Sequence, residues 1–235
     1  MSLVLTYTTG RCGTLYLTEV FEQHKTGEQI VLHEEGGRPP WSDRITALCD
    51  EGKGLLMTGR NVAATLSELA VAREAKILVL VRDCVETCKS WYERIPAEHF
   101  SPEHVAARWP YGNPLCVLQR QWSEFQMYLW HWFSTYVSAI KVCSEADPSI
   151  LVLSFKDLNN TDKMGEMLLW TEMMKPCTKE SLAACLVSKN AKTAWRDASN
   201  IDIRHEFNTW MSSLDELAAG RVNEVRRWFE EFCNV

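Results

Sequence analysis

Four times in this chain a short apolar run gives way to residues with helical spacing. Residues 2–8 alternate and carry β-branched and aromatic side chains, and from Thr14 to about His24 the spacing of Leu15, Leu17 and Phe21 suits a helix. The runs "GLLMT" (54–58), "KILVLV" (76–81) and "SILVLSF" (149–155) follow the same pattern, and "EQIVLHEE" reads as a further short strand. Strands separated by helices re-enter a sheet in the same direction. The expectation is therefore a single α/β domain over residues 1–235, with a central parallel sheet flanked by helices. An aromatic-rich helix is expected from about Leu115 to Ser144, and mostly helical text from Thr178 onward, broken by a polar loop at 188–200.

Composition narrows the class of partner. The chain of 235 residues is 46% hydrophobic with ten tryptophans, enough apolar surface to bury one sizeable core. Its net charge of −6 disfavours long-range attraction to nucleic acid or to an anionic membrane, so any bound anion must be held locally. Nine cysteines, an odd number with no CxxC pair, and no leader-like start point to reduced thiols and a cytoplasmic setting. No apolar run reaches the ~20 residues of a membrane span. The oligomeric state is left open.

The chemistry-bearing stretch is "TTGRCGT" (8–14), where the first strand turns into the first helix. A glycine-containing turn there gathers backbone N–H groups and the positive end of a helix dipole, a ready site for phosphate or sulfate. Gly10 and Gly13 let the backbone bend, Thr14 offers a hydroxyl, and Arg11 adds a fixed charge that can fork onto oxyanions. A phosphate-binding loop of the ATPase kind requires GxxxxGK[ST], and no lysine follows Gly13. A cysteine phosphatase requires an arginine six residues after Cys12, and position 18 is threonine. A nucleotide or small-molecule kinase and a non-catalytic nucleotide-binding protein of the same architecture stay open as alternatives. A second constellation places Arg82 and Asp83 where the strand 76–81 ends, with Ser90 eight residues after the arginine.

Together these stretches resemble the 3′-phosphoadenosine 5′-phosphosulfate (PAPS)-dependent sulfotransferases, whose fold is of the P-loop type. Thr9-Gly10-Arg11-Cys12-Gly13-Thr14 is similar to the family's loop around the 5′-phosphosulfate, with Cys12 where serine is usual. Arg82-Asp83-Cys84 with Ser90 is similar to its 3′-phosphate signature, with Cys84 in place of proline. "ILVLSFKDLNN" resembles the strand leading into a Tyr-Glu-Asp-Leu segment, and "KTAWRD" the Gly-x-Trp-Arg loop that covers the nucleotide, with Ala194 in place of glycine. The resemblance implies PAPS as donor and 3′-phosphoadenosine 5′-phosphate (PAP) as product, with no metal required. It implies Thr9, Gly10, Arg11, Cys12, Gly13, Thr14, Leu15, Arg82, Ser90, Lys189 and Arg196 as the donor site. The acceptor would be a hydroxyl, less often an amine, on a small molecule, glycan or lipid.

Transfer to a hydroxyl calls for a base, and "VLHEEGG" supplies candidates at the end of a strand expected to neighbour the first: Glu34, then His33, then Glu35. Arg11 would act catalytically on the leaving oxygen. Trp122, Phe125, Leu129, Trp132, Phe133 and Tyr136 follow helical spacing and read as core. The proline-punctuated residues 96–114 are the expected acceptor contacts. Arg60 and Asn61 follow a strand and suit either the cleft or plain surface, and Cys84 and Cys88, one helical turn apart, lack the partners of a zinc site.

Overall fold

The computed structural model describes residues 3–9, 12–27, 29–33, 47–48, 50–51, 53–58, 75–94, 122–146, 149–172, 175, 178–186 and 196–233. The elements run β1 (Leu3–Tyr7), α1 (Thr14–His24), β2 (Ile30–His33), β3 (Leu55–Thr58), β4 (Lys76–Val81), α2 (Cys84–Arg94) and α3 (Glu124–Ala146). There follow β5 (Ile150–Ser154), a 3-10 helix (Phe155–Asn159), α4 (Thr161–Thr171), α5 (Lys179–Leu186), α6 (Ile203–Ser213) and α7 (Glu216–Cys233). The chain divides into two compact units, Met1–Val81 with Lys141–Asn190, and Arg82–Ile140 with Ala191–Val235.

The first unit holds an all-parallel five-stranded sheet in the order β2-β3-β1-β4-β5. The expected α/β class with a parallel sheet is present, and each described strand lies within its apolar run. The lateral order corrects one expectation: β2 does not neighbour β1, because β3 lies between them, pairing Leu3 with Leu55 on one side and His33 with Thr58 on the other. His33 is thus two strand spacings from β1, about 10 Å. The order also marks where a ligand is expected. From β1 the chain moves to one side of the sheet, while β2, β3 and β4 each connect in the opposite direction. In open parallel sheets ligands lie beyond the carboxyl ends of the strands at such a reversal, here the end of β1.

One face of this sheet is closed by helices. Val4, Leu56, Leu78, Leu80 and Leu153 pack with Tyr16, Leu17, Val20 and Phe21 of α1, Met164, Met167 and Leu168 of α4, and Leu182 and Cys185 of α5. Burial of β1 on both faces accounts for a strand whose five residues are all inaccessible. His24 ends α1 by joining it to α5, with Nδ1 2.8 Å from the Val20 carbonyl and Nε2 2.9 Å from Ser181 Oγ. Lys76, at the start of β4, reaches the end of α4. Its Nζ donates to the Trp170 carbonyl at 2.7 Å, pairs with Glu172 at 3.0 Å and lies over the Trp170 ring. A cation on the last carbonyls of a helix is favourable. Lys76→Met should cost about 1 kcal/mol, seen as a fall of about 2–4 °C in Tm; an unchanged Tm would contradict that role.

In the second unit α3 begins at Glu124, not near Leu115 as expected. Ser123 stops it there: its Oγ accepts from the Gln126 N–H while Gln126 Oε1 accepts from the Ser123 N–H, a reciprocal cap. Trp132 is ringed by Phe133, Tyr136 and Phe229 at centroid distances of 4.6–4.9 Å, and Phe133 stacks on Trp210 at 5.2 Å. These aromatics are core. The apolar side of α7 joins them through Val222, Val225 and Phe229. Among the described residues no helix is long and apolar enough to cross a membrane.

Candidate functional site

The loop after β1 is held at both ends. Thr9 Oγ1 lies 3.3 Å from Cys12 Sγ, and both side chains are fully buried. Cys12 belongs to the sheet–helix core, so its thiol is committed to packing and only its backbone is offered to a ligand. Gly10 and Arg11, between the two, lie outside the described residues. Gly13 follows with φ 90° and ψ 21°, a left-handed conformation that L side chains adopt at a cost. A Cβ there would collide with Leu158 Cδ1 and stand 3.4 Å from Phe155 Cε2, both on the 3-10 helix. Two independent reasons, backbone conformation and space, therefore require glycine at this position.

The helix that starts here is electrostatically open. Its first intrahelical bond runs from the Leu17 N–H to the Gly13 carbonyl at 3.0 Å, its N-cap residue, Gly13, provides no side-chain cap, and its first turn has no acidic residue. The N–H groups of Thr14 and Leu15 precede that ladder, at the positive end of the helix dipole. Thr14 is buried, whereas the Leu15 side chain is 57% exposed, a large apolar surface beside the turn.

The second constellation has the opposite character at its helix start. Asp83 Oδ1 accepts from the Glu86 N–H at 2.9 Å, so a carboxylate already plugs the N-terminus of α2. An anion near α2 must then be met by side chains. Arg82 is 19% exposed and its Nη2 stands 3.6 Å from Glu86 Oε2, while its carbonyl accepts from Trp132 Nε1–H at 3.1 Å. Ser90 is buried one turn beyond Glu86, on the same helix face. Burial and the adjacent Cys88 push the Cys84 thiol well above its ordinary value, so it is a neutral thiol at physiological pH.

Of the other sequence candidates, His33 sits half-buried at the end of β2, and Glu34, Glu35, Lys189, Arg60, Asn61 and residues 96–114 lie outside the described residues. Arg196 is described, and its guanidinium is forked onto Glu124, with both Nη atoms 2.6 Å from the two carboxylate oxygens. Glu86, Glu124 and Leu158 are not among the sequence candidates. Only Glu86 had a local signal, its i,i+4 spacing from Arg82. Among the described residues no group of His, Cys, Asp and Glu is arranged to hold a metal ion. Compared with known proteins, the chain matches no protein-family model and no curated protein sequence.

Proposed function

We propose that this protein is a sulfotransferase that moves a sulfuryl group from PAPS to a hydroxyl acceptor. The observation that carries the reading is the acid-free start of α1, with a left-handed glycine as its N-cap residue, after the strand at which the chain's progress across the sheet reverses. Such a turn suits a dianion, and the lack of Gly-Lys-Ser/Thr argues against a nucleoside triphosphate.

In this reading the 5′-phosphosulfate lies against Arg11 and the N–H groups of Gly13, Thr14 and Leu15, and Arg82 with Ser90 takes the 3′-phosphate. The acceptor oxygen attacks sulfur in line, the bond from sulfur to the bridging oxygen breaks, and PAP leaves with that electron pair. Arg11 and the amides neutralise the charge that grows on the bridging oxygen. The acceptor proton passes to a base from 33–35, with Glu34 first, then His33, then Glu35. Replacing each singly with an uncharged isostere and measuring turnover at saturating PAPS ranks them, since the base changes turnover and leaves PAP affinity alone. The activity test is release of PAP, together with labelled sulfuryl on a panel of hydroxyl-bearing glycans, lipids and small molecules; phosphoryl transfer from ATP to the same panel would refute the reading.

Glu86 competes for Arg82 in this scheme. The ion pair is weak, because Glu86 is 59% exposed and screened by solvent. Glu86→Gln should therefore tighten PAP binding about threefold by calorimetry. Weaker binding would mean instead that Glu86 orients the guanidinium for its ligand.

A further inference from the structure

The resemblance gives Arg196 to the nucleotide, but its surroundings give it other work. Glu124 takes both Nη groups at 2.6 Å, the guanidinium lies 4.1 Å from the centroid of the Tyr92 ring, and the Arg196 N–H donates to the Glu93 carbonyl at 3.3 Å. Tyr128 O–H donates to the same carboxylate at 2.8 Å. The pair is about four-fifths covered, Arg196 being 22% and Glu124 21% exposed. Drawing the arginine away would leave a largely desolvated carboxylate beside a buried phenol, with no other ion pair to balance it among the described residues.

These contacts have an order along the two helices. Glu124, at the start of α3, meets the end of α2 through Arg196, at Tyr92 and Glu93. One turn on, Tyr128 stacks on Trp91 at 5.5 Å, and His131 meets the same ring at 4.7 Å. Two turns on, Trp132 donates to the Arg82 carbonyl, at the other end of α2. The helices therefore run antiparallel, and α3 braces α2 at both ends, with Arg82 at one brace and Ser90 between the two.

We infer that Arg196 is a positioning residue: its fork on Glu124 and its seat on Tyr92 fix α2 against α3, and so fix Arg82 and Ser90, without touching the nucleotide. The functional half of this inference rests on the proposed PAPS reading; the brace itself does not. A bidentate fork suits the task because two parallel N–H···O bonds set an orientation, which a lysine point charge cannot do.

The test compares Arg196→Lys, Glu124→Gln and the double variant in the full chain, by PAP calorimetry and by hydrogen exchange of the α2 amides. Both variants keep side-chain size, and the exchange measurement reports α2 directly should either variant lower overall stability. If the brace is correct, each single variant speeds exchange selectively across Thr87–Arg94 and weakens PAP about tenfold, and the double variant is no worse than the poorer single one. If Arg196 were a ligand, Arg196→Lys would weaken PAP while Glu124→Gln left it unchanged or tighter, and the inference would fall. It would fall equally if α2 exchange stayed at the wild-type rate in both. Should the wild-type chain not bind PAP at all, the donor reading fails, while the exchange data still decide for or against the brace.

Discussion

Replacing Gly13 with alanine is expected to cost about 3 kcal/mol of stability. A left-handed residue with a Cβ pays about 1–2 kcal/mol, and a methyl group forced against Leu158 and Phe155 adds about 1–3 kcal/mol of overpacking. In a chain of 235 residues that amounts to a fall in Tm on the order of 10 °C. Gly27 supplies the control, since its φ is also positive, 64°, but nothing lies within 4 Å of a built Cβ. Gly27→Ala should show the conformational part alone, about 1 kcal/mol. Urea melts of the two variants separate the effects. Equal losses would mean that the 3-10 helix does not press on the turn. A Gly13→Ala variant that folded normally would mean that the start of α1 is built differently.

The second large effect is on binding. Arg82→Ala should weaken PAP by about 10–150-fold, the loss of charge-assisted hydrogen bonds to a phosphate worth about 1.5–3 kcal/mol. The Trp132 bond is made to the Arg82 backbone carbonyl and so survives the substitution, and the ion pair to Glu86 is a weak surface contact. Ser90→Ala removes one neutral hydroxyl and should cost about fivefold. Calorimetry beside a thermal melt checks both. Undiminished PAP binding in Arg82→Ala would remove this residue from the donor site, and a collapse in Tm would assign it a structural role instead.

Much of this was legible in the residues because the signals are local. An apolar run turning to helical spacing at Thr14 requires only neighbouring residues to read, and each described strand appeared where its run lies. Lateral strand order is not local. Nothing in "EQIVLHEE" says whether another strand will insert between it and β1, and β3 does so. The start of α3 was legible in Ser123 and Gln126 but was overridden by a longer aromatic pattern. Cys12 sits where a ligand-facing hydroxyl is usual, and its burial, together with Thr9, follows from core contacts across the chain. Arg196 and Glu124 are 72 residues apart, and a loop motif cannot reveal a partner at that distance. The likeness assigns Arg196 to a phosphate, and in the structure its guanidinium is forked onto Glu124.

The central claim is that the turn after β1 and the residues Arg82 and Ser90 recognise a 3′-phosphorylated adenylate. The most direct measurement is calorimetric titration of the wild-type chain with PAP and, separately, with ATP and magnesium. PAP is expected to bind at least tenfold more tightly, because only PAP carries the 3′-phosphate that Arg82 and Ser90 would hold. Equal or tighter binding of ATP, or PAP binding that survives Arg82→Ala unchanged, would contradict it.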